Sequence, residues 1–425
     1  MEAYWRPSAD PKIPDLPSNF DVMRQLQSFL FYILLLVLIG CQSQEVKLTV
    51  TCGATIDSEQ TPVAIKMEQM RKHGMIEADA WTPFVDGQPL PHQYDDTDGD
   101  GKADELFFLL DFNTQESQTI IFKPESGREV FEMRTHLQLG EKTANGIISK
   151  KSAPRLNTYN NKETQAKYQF EGIGWENDKV AFRNYLDLRN GMDIFGKTTS
   201  NMILDRVGRK GDASYHELQE WGMDILKVGS SLGAGSLAFW HQDSLIRLTS
   251  EEADCRILFE GPLRSRFQLN FQHVSLGNQA VNITHNVTIV AGSYSYDGEL
   301  KISPATEASV IVGLVDLHNL PAQFIASSSN HCLYTYGLQS ENKDSLGMAV
   351  IVPSQGFQSY IDTDSISQTI PNSYGILGPS QDVRYRFYAG WEAASKAFDN
   401  QQVFQDYLKK EAMLWNQPVT LAWGE

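Results

Sequence analysis

The stretch VNITHNVTIV, residues 281–290, alternates without a break. Val281, Ile283, His285, Val287 and Ile289 fall on one side, and Asn282, Thr284, Asn286 and Thr288 on the other. Successive side chains of a strand point to opposite faces, so a period of two describes a strand with one face on a core. RFQLNFQHV (266–274) and VRYRFYAGW (383–391) repeat the pattern. Gly, Pro, Asn and Ser gather at the breaks, which favours antiparallel connections. No strand–helix–strand rhythm appears, which argues against a doubly wound parallel sheet. One helix stands out between about 395 and 414, where Phe404, Tyr407, Leu408, Ala412 and Trp415 keep i, i+3, i+4 spacing ahead of Pro418. A softer helix is expected over Val63–His73, and VTLAW (419–423) reads as a closing strand.

Working outward, residues 45–125 read as a small β unit and residues 130–425 as a large β-sandwich, with FKPESGREVFEMR (122–134) as linker. A sandwich of this size offers a concave face to a ligand. Ahead of both, SFLFYILLLVLIG (28–40) follows Arg24 and has the length of a signal-peptide core rather than a membrane span. Leu38-Ile39-Gly40-Cys41 resembles a bacterial lipobox, so residues 1–41 are expected to be signal and lipobox. That implies an exported lipoprotein, periplasmic or on the outer membrane, tied to the membrane only by lipid at Cys41. Met23 is an alternative start that leaves a compact signal. Net charge is −17, of which residues 1–40 carry only −1, so nucleic acid is disfavoured as a partner. An anionic small substrate is still open to a local basic pocket. The four cysteines are too few for a disulfide framework.

DDTDGDGKADELFF (95–108) is the most specific short motif. Asp96, Asp98 and Asp100 sit at odd spacing around the turn at Gly101, with Asp104 and Glu105 beyond. Ca²⁺ takes six to eight oxygen ligands, which such a loop supplies. Phe107 stands where an EF-hand has its bidentate glutamate, so the loop is closer to the DxDxDG type and its calcium is expected to be structural. A solvated acidic turn is the plain alternative.

GSSLG (229–233) fits a nucleophile-elbow pattern at Ser231, but the strand–elbow–helix setting is missing. Its glycines are better read as places where backbone approaches backbone or a ligand closely. Chemistry concentrates in two blocks, WENDKVAFRNYLDLRNGMDIFGK (175–197) and YHELQEWGMDILKVGSSLGAGSL (215–237). Together with the acidic loop and RFYAGWE…YLKKEAMLW, these blocks resemble the DUF4861 family over nearly all of the chain after Cys41.

That resemblance implies a secreted or lipid-anchored protein of bacterial polysaccharide utilisation, with a galactose-mutarotase-like supersandwich of antiparallel sheets. The activity it implies is a hydro-lyase, a dehydratase removing water from the terminal uronic acid of oligosaccharides such as those of ulvan. Such chemistry needs a cation at the C6 carboxylate, a base for the C5 proton and an acid for the departing 4-hydroxyl. Arg183, Arg189 and Lys197 are candidate carboxylate partners. His216 is the candidate base, with Tyr215, Tyr185 or Lys227 as the acid. Trp175 and Trp221 are candidate sugar platforms. Each has an ordinary alternative: a surface ion-pair ladder for the arginines, a surface histidine, core tryptophans. Tyr215 and His216 can serve one ligand only if they lie on a turn, since neighbours on a strand face apart. Competing functions are a non-catalytic surface glycan-binding protein, or a glycoside hydrolase or mutarotase-type epimerase on the same fold.

Overall fold

The computed structural model describes residues 45–424 apart from 77–80, 125–129, 210–212, 367–368 and 416. The expected signal, lipobox and Cys41 lie outside the described residues, as does the middle of the expected linker. Among the described residues strands predominate, and their pairings are antiparallel. It forms a nine-stranded, a six-stranded and a five-stranded sheet, with a second five-stranded and a three-stranded sheet from the smaller part.

The alternating stretches build the nine-stranded sheet. Arg264–Leu276 pairs with Gln279–Val290, which pairs with Ser295–Ser303, which pairs with Val383–Trp391. Val281, Ile283, His285, Val287 and Ile289 are all buried, as the period of two requires. They meet Trp175, Phe182 and Ile194 of the six-stranded sheet and Leu237, Val310 and Val312 of a five-stranded one in a single continuous core. His285 is a core residue whose Nε2 lies 3.0 Å from the Tyr385 hydroxyl. His273, which the alternation of RFQLNFQHV would put on the apolar face with Phe267, Leu269 and Phe271, is instead exposed. It takes φ 53° at a register shift between Phe271 and Val274, where one extra residue reverses the alternation.

Gln401–Trp415 is the expected helix, and Phe404, Leu408 and Ala412 pack it onto Tyr334, Ile351 and Tyr388 of the nine-stranded sheet. The softer helix shrinks to Met67–Lys72, because Val63 and Ile65 alternate as strand within Ser58–Lys66. Residues before 125 form the two small sheets. Thr420–Trp423 adds a strand to one of them by pairing with Val46–Thr51, and Leu263 and Ala291 complete the same core. Cys52, Cys255 and Cys332 are buried free thiols. Phe404→Ala should cost about 3–5 kcal/mol, as for a large aromatic truncated in a packed core; a urea melt followed by tryptophan fluorescence reads it.

Candidate functional site

The six-stranded sheet turns one face to the main core and the other to a roof. In Val180–Tyr185, Val180 and Phe182 enter the core, while Ala181 lies on the opposite face with Phe195. Arg183 follows Ala181 by two and shares its face. The register sets Arg183 opposite Asp193, and Phe195 opposite Asp224, so one arginine and two aspartates from three strands converge. The roof is made by residues 198–209 and 213–221. Ile203, Leu204 and Val207 bury themselves on Phe170 and Phe195, with Tyr215 and Trp221 at the margin. Glu176 Oε1 accepts from the Ile203 and Leu204 amides, and Gln169 donates to the Leu204 and Val207 carbonyls, which pins the roof to the sheet.

Arg183 is the hub. Its Nη2 lies 2.6 Å from both Asp193 Oδ2 and Asp224 Oδ2, and its Nε donates to Asp193 at 3.0 Å. The Tyr185 hydroxyl donates to the same Asp193 oxygen at 2.5 Å. Arg183 is only 2% exposed. Burial works against its charge, but Asp224, Tyr185 and Asp193 more than offset this and hold the guanidinium firmly protonated. Burial and then the Asp224 charge push Asp193 well above the usual carboxylate range, against the pull of Arg183. Asp224 Oδ1 is buried and has no hydrogen-bond partner among the described residues.

Tyr215 and His216 lie on a turn, so both side chains reach this cluster. The Tyr215 hydroxyl is 3.4 Å from Arg183 Nη1, and the two rings are 4.4 Å apart. His216 Nδ1 lies 3.2 Å from Asp224 Oδ2, while its side chain stays 62% exposed. The Asp224 hydrogen bond, and then its charge, outweigh partial burial and raise the His216 pKa above its ordinary value. Burial keeps the Tyr215 phenol protonated beyond its ordinary range.

A bulge extends the site. Phe170 and Glu171 have φ of 36° and 69° where pairing with Thr135–Thr143 shifts register. The kink brings Glu171 to Arg189, which it meets at 2.6 Å, the same distance as Arg189 to Asp187. Gly172 is obligatory beside it, since a Cβ there would sit 1.9 Å from the Asn184 carbonyl oxygen. Arg189 stacks on Tyr185, its carbon 4.2 Å from the ring centre.

Residues 50–421 match the family described as "Domain of unknown function (DUF4861)". The chain belongs to the DUF4861 family. It is 24% identical over 356 residues to "Uncharacterized protein P7" of Formosa agariphila, covering 78% of this chain and 81% of that one. Among solved structures it is similar to an alpha-mannosidase from Enterococcus faecalis at 9% identity and TM-score 0.42, covering 90% of this chain and 46% of the other. A glycosyl hydrolase family 38 protein of the same organism gives the same identity and TM-score, at 90% and 47% coverage. The chain thus spans about half the length of those solved chains.

In this DUF4861 chain the residues expected from sequence separate into two groups. His216, Tyr215, Tyr185 and Arg183 come together, and Arg189 adjoins them. Yet Arg183 and Arg189 are engaged by the protein's own carboxylates, so neither stands free for a substrate carboxylate. Lys197 is fully buried, 2.6 Å from Glu176, and takes no part. Trp175 is fully buried between Phe182, Phe267 and Tyr296, a core residue and not a platform. Trp221 is half-buried with its ring edge-on to Phe195. Lys227 is exposed and makes no ion pair among the described residues. Ser231 donates to the Val228 carbonyl inside the protein, so it is no nucleophile. The glycine-rich segment admits backbone rather than ligand: a Cβ on Gly233 would sit 2.2 Å from the Met192 carbonyl oxygen, and one on Gly235 equally close to the Tyr296 hydroxyl.

Sequence reasoning missed Asp193, the orienting role of Asp224, and Arg247. The two aspartates were open to detection, because period two carries the Arg183 face across a hairpin onto Asp193. Arg247 gave no signal. Its guanidinium donates to the carbonyls of Arg189, Ser230 and Ser231 and to no carboxylate among the described residues.

In the acidic loop, carboxylate oxygens of Asp96, Asp98 and Asp104 lie within 4.8 Å of one another. Asp96 already accepts the Gly99, Asp100 and Gly101 amides, which curls the loop around it. Asp100 faces Lys102 and falls outside this group. Glu105 also falls outside it, because it pairs with Arg264 at 2.7 Å.

Two outcomes follow from the buried charges. Proton NMR of His216 should give a pKa above about 6.5, falling towards that value in Asp224→Asn. Because the folded pKa is raised, the pair stabilises the fold fully below the unfolded pKa, and the contribution fades as pH climbs through the folded one. Lys197→Ala should cost about 3–5 kcal/mol by leaving Glu176 buried without its counter-charge, read in a urea melt.

Proposed function

We propose that this protein is a carbohydrate-active enzyme working by acid–base catalysis, and that its reaction is the dehydration of a terminal uronic acid. The observation that carries the reading is the His216–Asp224 pair, backed by a buried arginine and open to solvent on the imidazole side. A carboxylate on Nδ1 orients the ring and stabilises the imidazolium, leaving Nε2 to exchange a proton with a substrate. His216 Nε2 takes the C5 proton. The electron pair forms the C4=C5 bond as the C4–O bond breaks, and Tyr215 gives its proton to the departing hydroxyl, which leaves as water. Tyr185 is spent on Asp193, and Lys227 has no tie to the cluster, so Tyr215 is the better acid. The substrate's carboxylate needs a cation not already matched by an acid. Arg247, whose guanidinium donates to the Arg189 carbonyl, is the candidate for that role.

Hydrolysis is the weaker reading. Two carboxylates must flank a glycosidic bond, with room between them for a sugar. Here Asp193 and Asp224 are buried and share one guanidinium nitrogen.

The test is ultraviolet absorbance of the protein mixed with oligosaccharides ending in saturated glucuronate. A conjugated alkene should appear, and His216→Ala should slow it at least ~100-fold while binding changes little. A flat trace with the unaltered protein, or full turnover in the variant, rejects the reading.

The acidic loop is proposed as a structural Ca²⁺ site held by Asp96, Asp98 and Asp104, whose hard oxygens suit that ion. Free Ca²⁺ at 100 times its dissociation constant should add about 2.7 kcal/mol to stability. Calorimetric titration and thermal melting with and without chelator read this. Asp98→Asn should remove most of the effect, and a calcium-independent melt of the unaltered protein would sink the assignment.

A further inference from the structure

A cavity of about 630 Å³ opens away from the Arg183 cluster, among the C-terminal helix, the strands around Thr288 and Arg386, and the Ser58–Lys66 strand. Its size is that of a small-molecule site. One wall is aromatic, from Tyr294, Tyr407 and Trp415. The floor is a fixed ion-pair group. Arg386 Nε is 2.5 Å from Asp297, its Nη1 is 4.0 Å from Glu411, and its guanidinium lies 5.1 Å from the Trp415 ring centre. Tyr388 donates to Glu411 at 3.3 Å from beneath. Arg134, also lining the cavity, is held by Asp178 at 2.7 Å and by Gln60.

Two more cations line it, Lys179 and Lys410. Neither forms an ion pair among the described residues, although the chain carries a net charge of −17 and acids are plentiful. Partly buried lysines without an acid partner, in a cavity whose lining also carries aromatic rings, are what an anionic, partly apolar ligand requires. Sugar rings have that character: an apolar C–H face to lie on an aromatic side chain, with an acidic substituent reaching outward. We infer that this cavity is a second saccharide site, which takes an acidic sugar residue and meets its carboxylate or sulfate with Lys179 and Lys410. The anionic half of the inference rests on the cavity's own lysines; the saccharide half rests on the function proposed above. Lys179 stands at the turn before the strand that carries Arg183, four residues or about 13 Å along it.

Isothermal calorimetry on the full chain tests this, with a glucuronate-terminated disaccharide, a sulfated disaccharide and a neutral glucose-terminated one. The acidic ligands should bind, and the neutral one should bind at least ~10-fold more weakly. Which acidic ligand binds more tightly tells carboxylate from sulfate recognition. Lys179→Ala with Lys410→Ala should weaken acidic binding at least ~10-fold, with dehydration of a substrate too short to span both sites unchanged. The pair of Lys→Arg substitutions should restore it. If the alanine pair melts early, Lys179→Gln with Lys410→Gln replaces it. Equal affinity for acidic and neutral ligands, or acidic binding within twofold in the lysine variants, overturns the inference. The two proposals fail separately. Lysine-dependent binding that persists in His216→Ala, alongside a flat absorbance trace for the unaltered protein, removes the dehydratase and keeps the cavity.

Discussion

A guanidinium sealed from water keeps its charge only where acids meet it, and Arg183 meets two. The dependence runs both ways. Without Arg183, Asp193 and Asp224 would be two like charges in one dry place, and at least one would take up a proton. Tyr185 would lose the carboxylate it donates to, and Asp224 would lose the guanidinium that holds it beside His216. Three strands and the roof turn are registered against each other at this point, so the electrostatics of the site and the packing of the sheet are one arrangement. Removing a single member of such a group is far more disruptive than the pair energy alone suggests, because the others stay buried without their counter-charge.

The charge of the site is internal. Arg183, Arg189 and Lys197 each look like ligand-binding cations in the sequence, and each is matched by a carboxylate from the same sheet. What reaches outward is a histidine and a phenol, both from the roof. The sheet provides the fixed field, and the turn carries His216 and Tyr215 against it. The roof is itself anchored from below, by Glu176 and Gln169 bonding its backbone, and the Lys197–Glu176 pair underlies that anchor. Lys197 thus supports the site's cover instead of touching a ligand.

The fold was legible because alternation is a local property. The strands around Val281, Phe267 and Tyr385 declare their buried faces in the order of their residues, and the helix through Phe404 declares its stripe. His273 was misread because a bulge reverses alternation, and nothing local marks one. The soft helix at Val63 failed because a short apolar run suits helix and strand alike until a partner strand is known. At the site, Arg183, Tyr185, Tyr215 and His216 were legible by residue type. Their relations were not. Whether an arginine faces a ligand or Asp193 depends on register between strands, and whether Trp175 faces a sugar or Phe267 depends on which face the core occupies. Arg247 was out of reach altogether, since carbonyl partners leave no trace in residue identity.

The pairing of Thr420–Trp423 with Val46–Thr51 carries a consequence of timing. An early strand of the chain lies between Ser117–Pro124 on one side and a strand roughly 370 residues downstream on the other. While the chain emerges from the ribosome, that second edge has no partner. An open strand edge is a template for pairing with other chains, and contacts so distant in sequence are slow to form. The growing polypeptide therefore carries an unprotected edge until Thr420–Trp423 has emerged to close it. Whatever binds nascent or unfolded chains in the cell has its longest opportunity there.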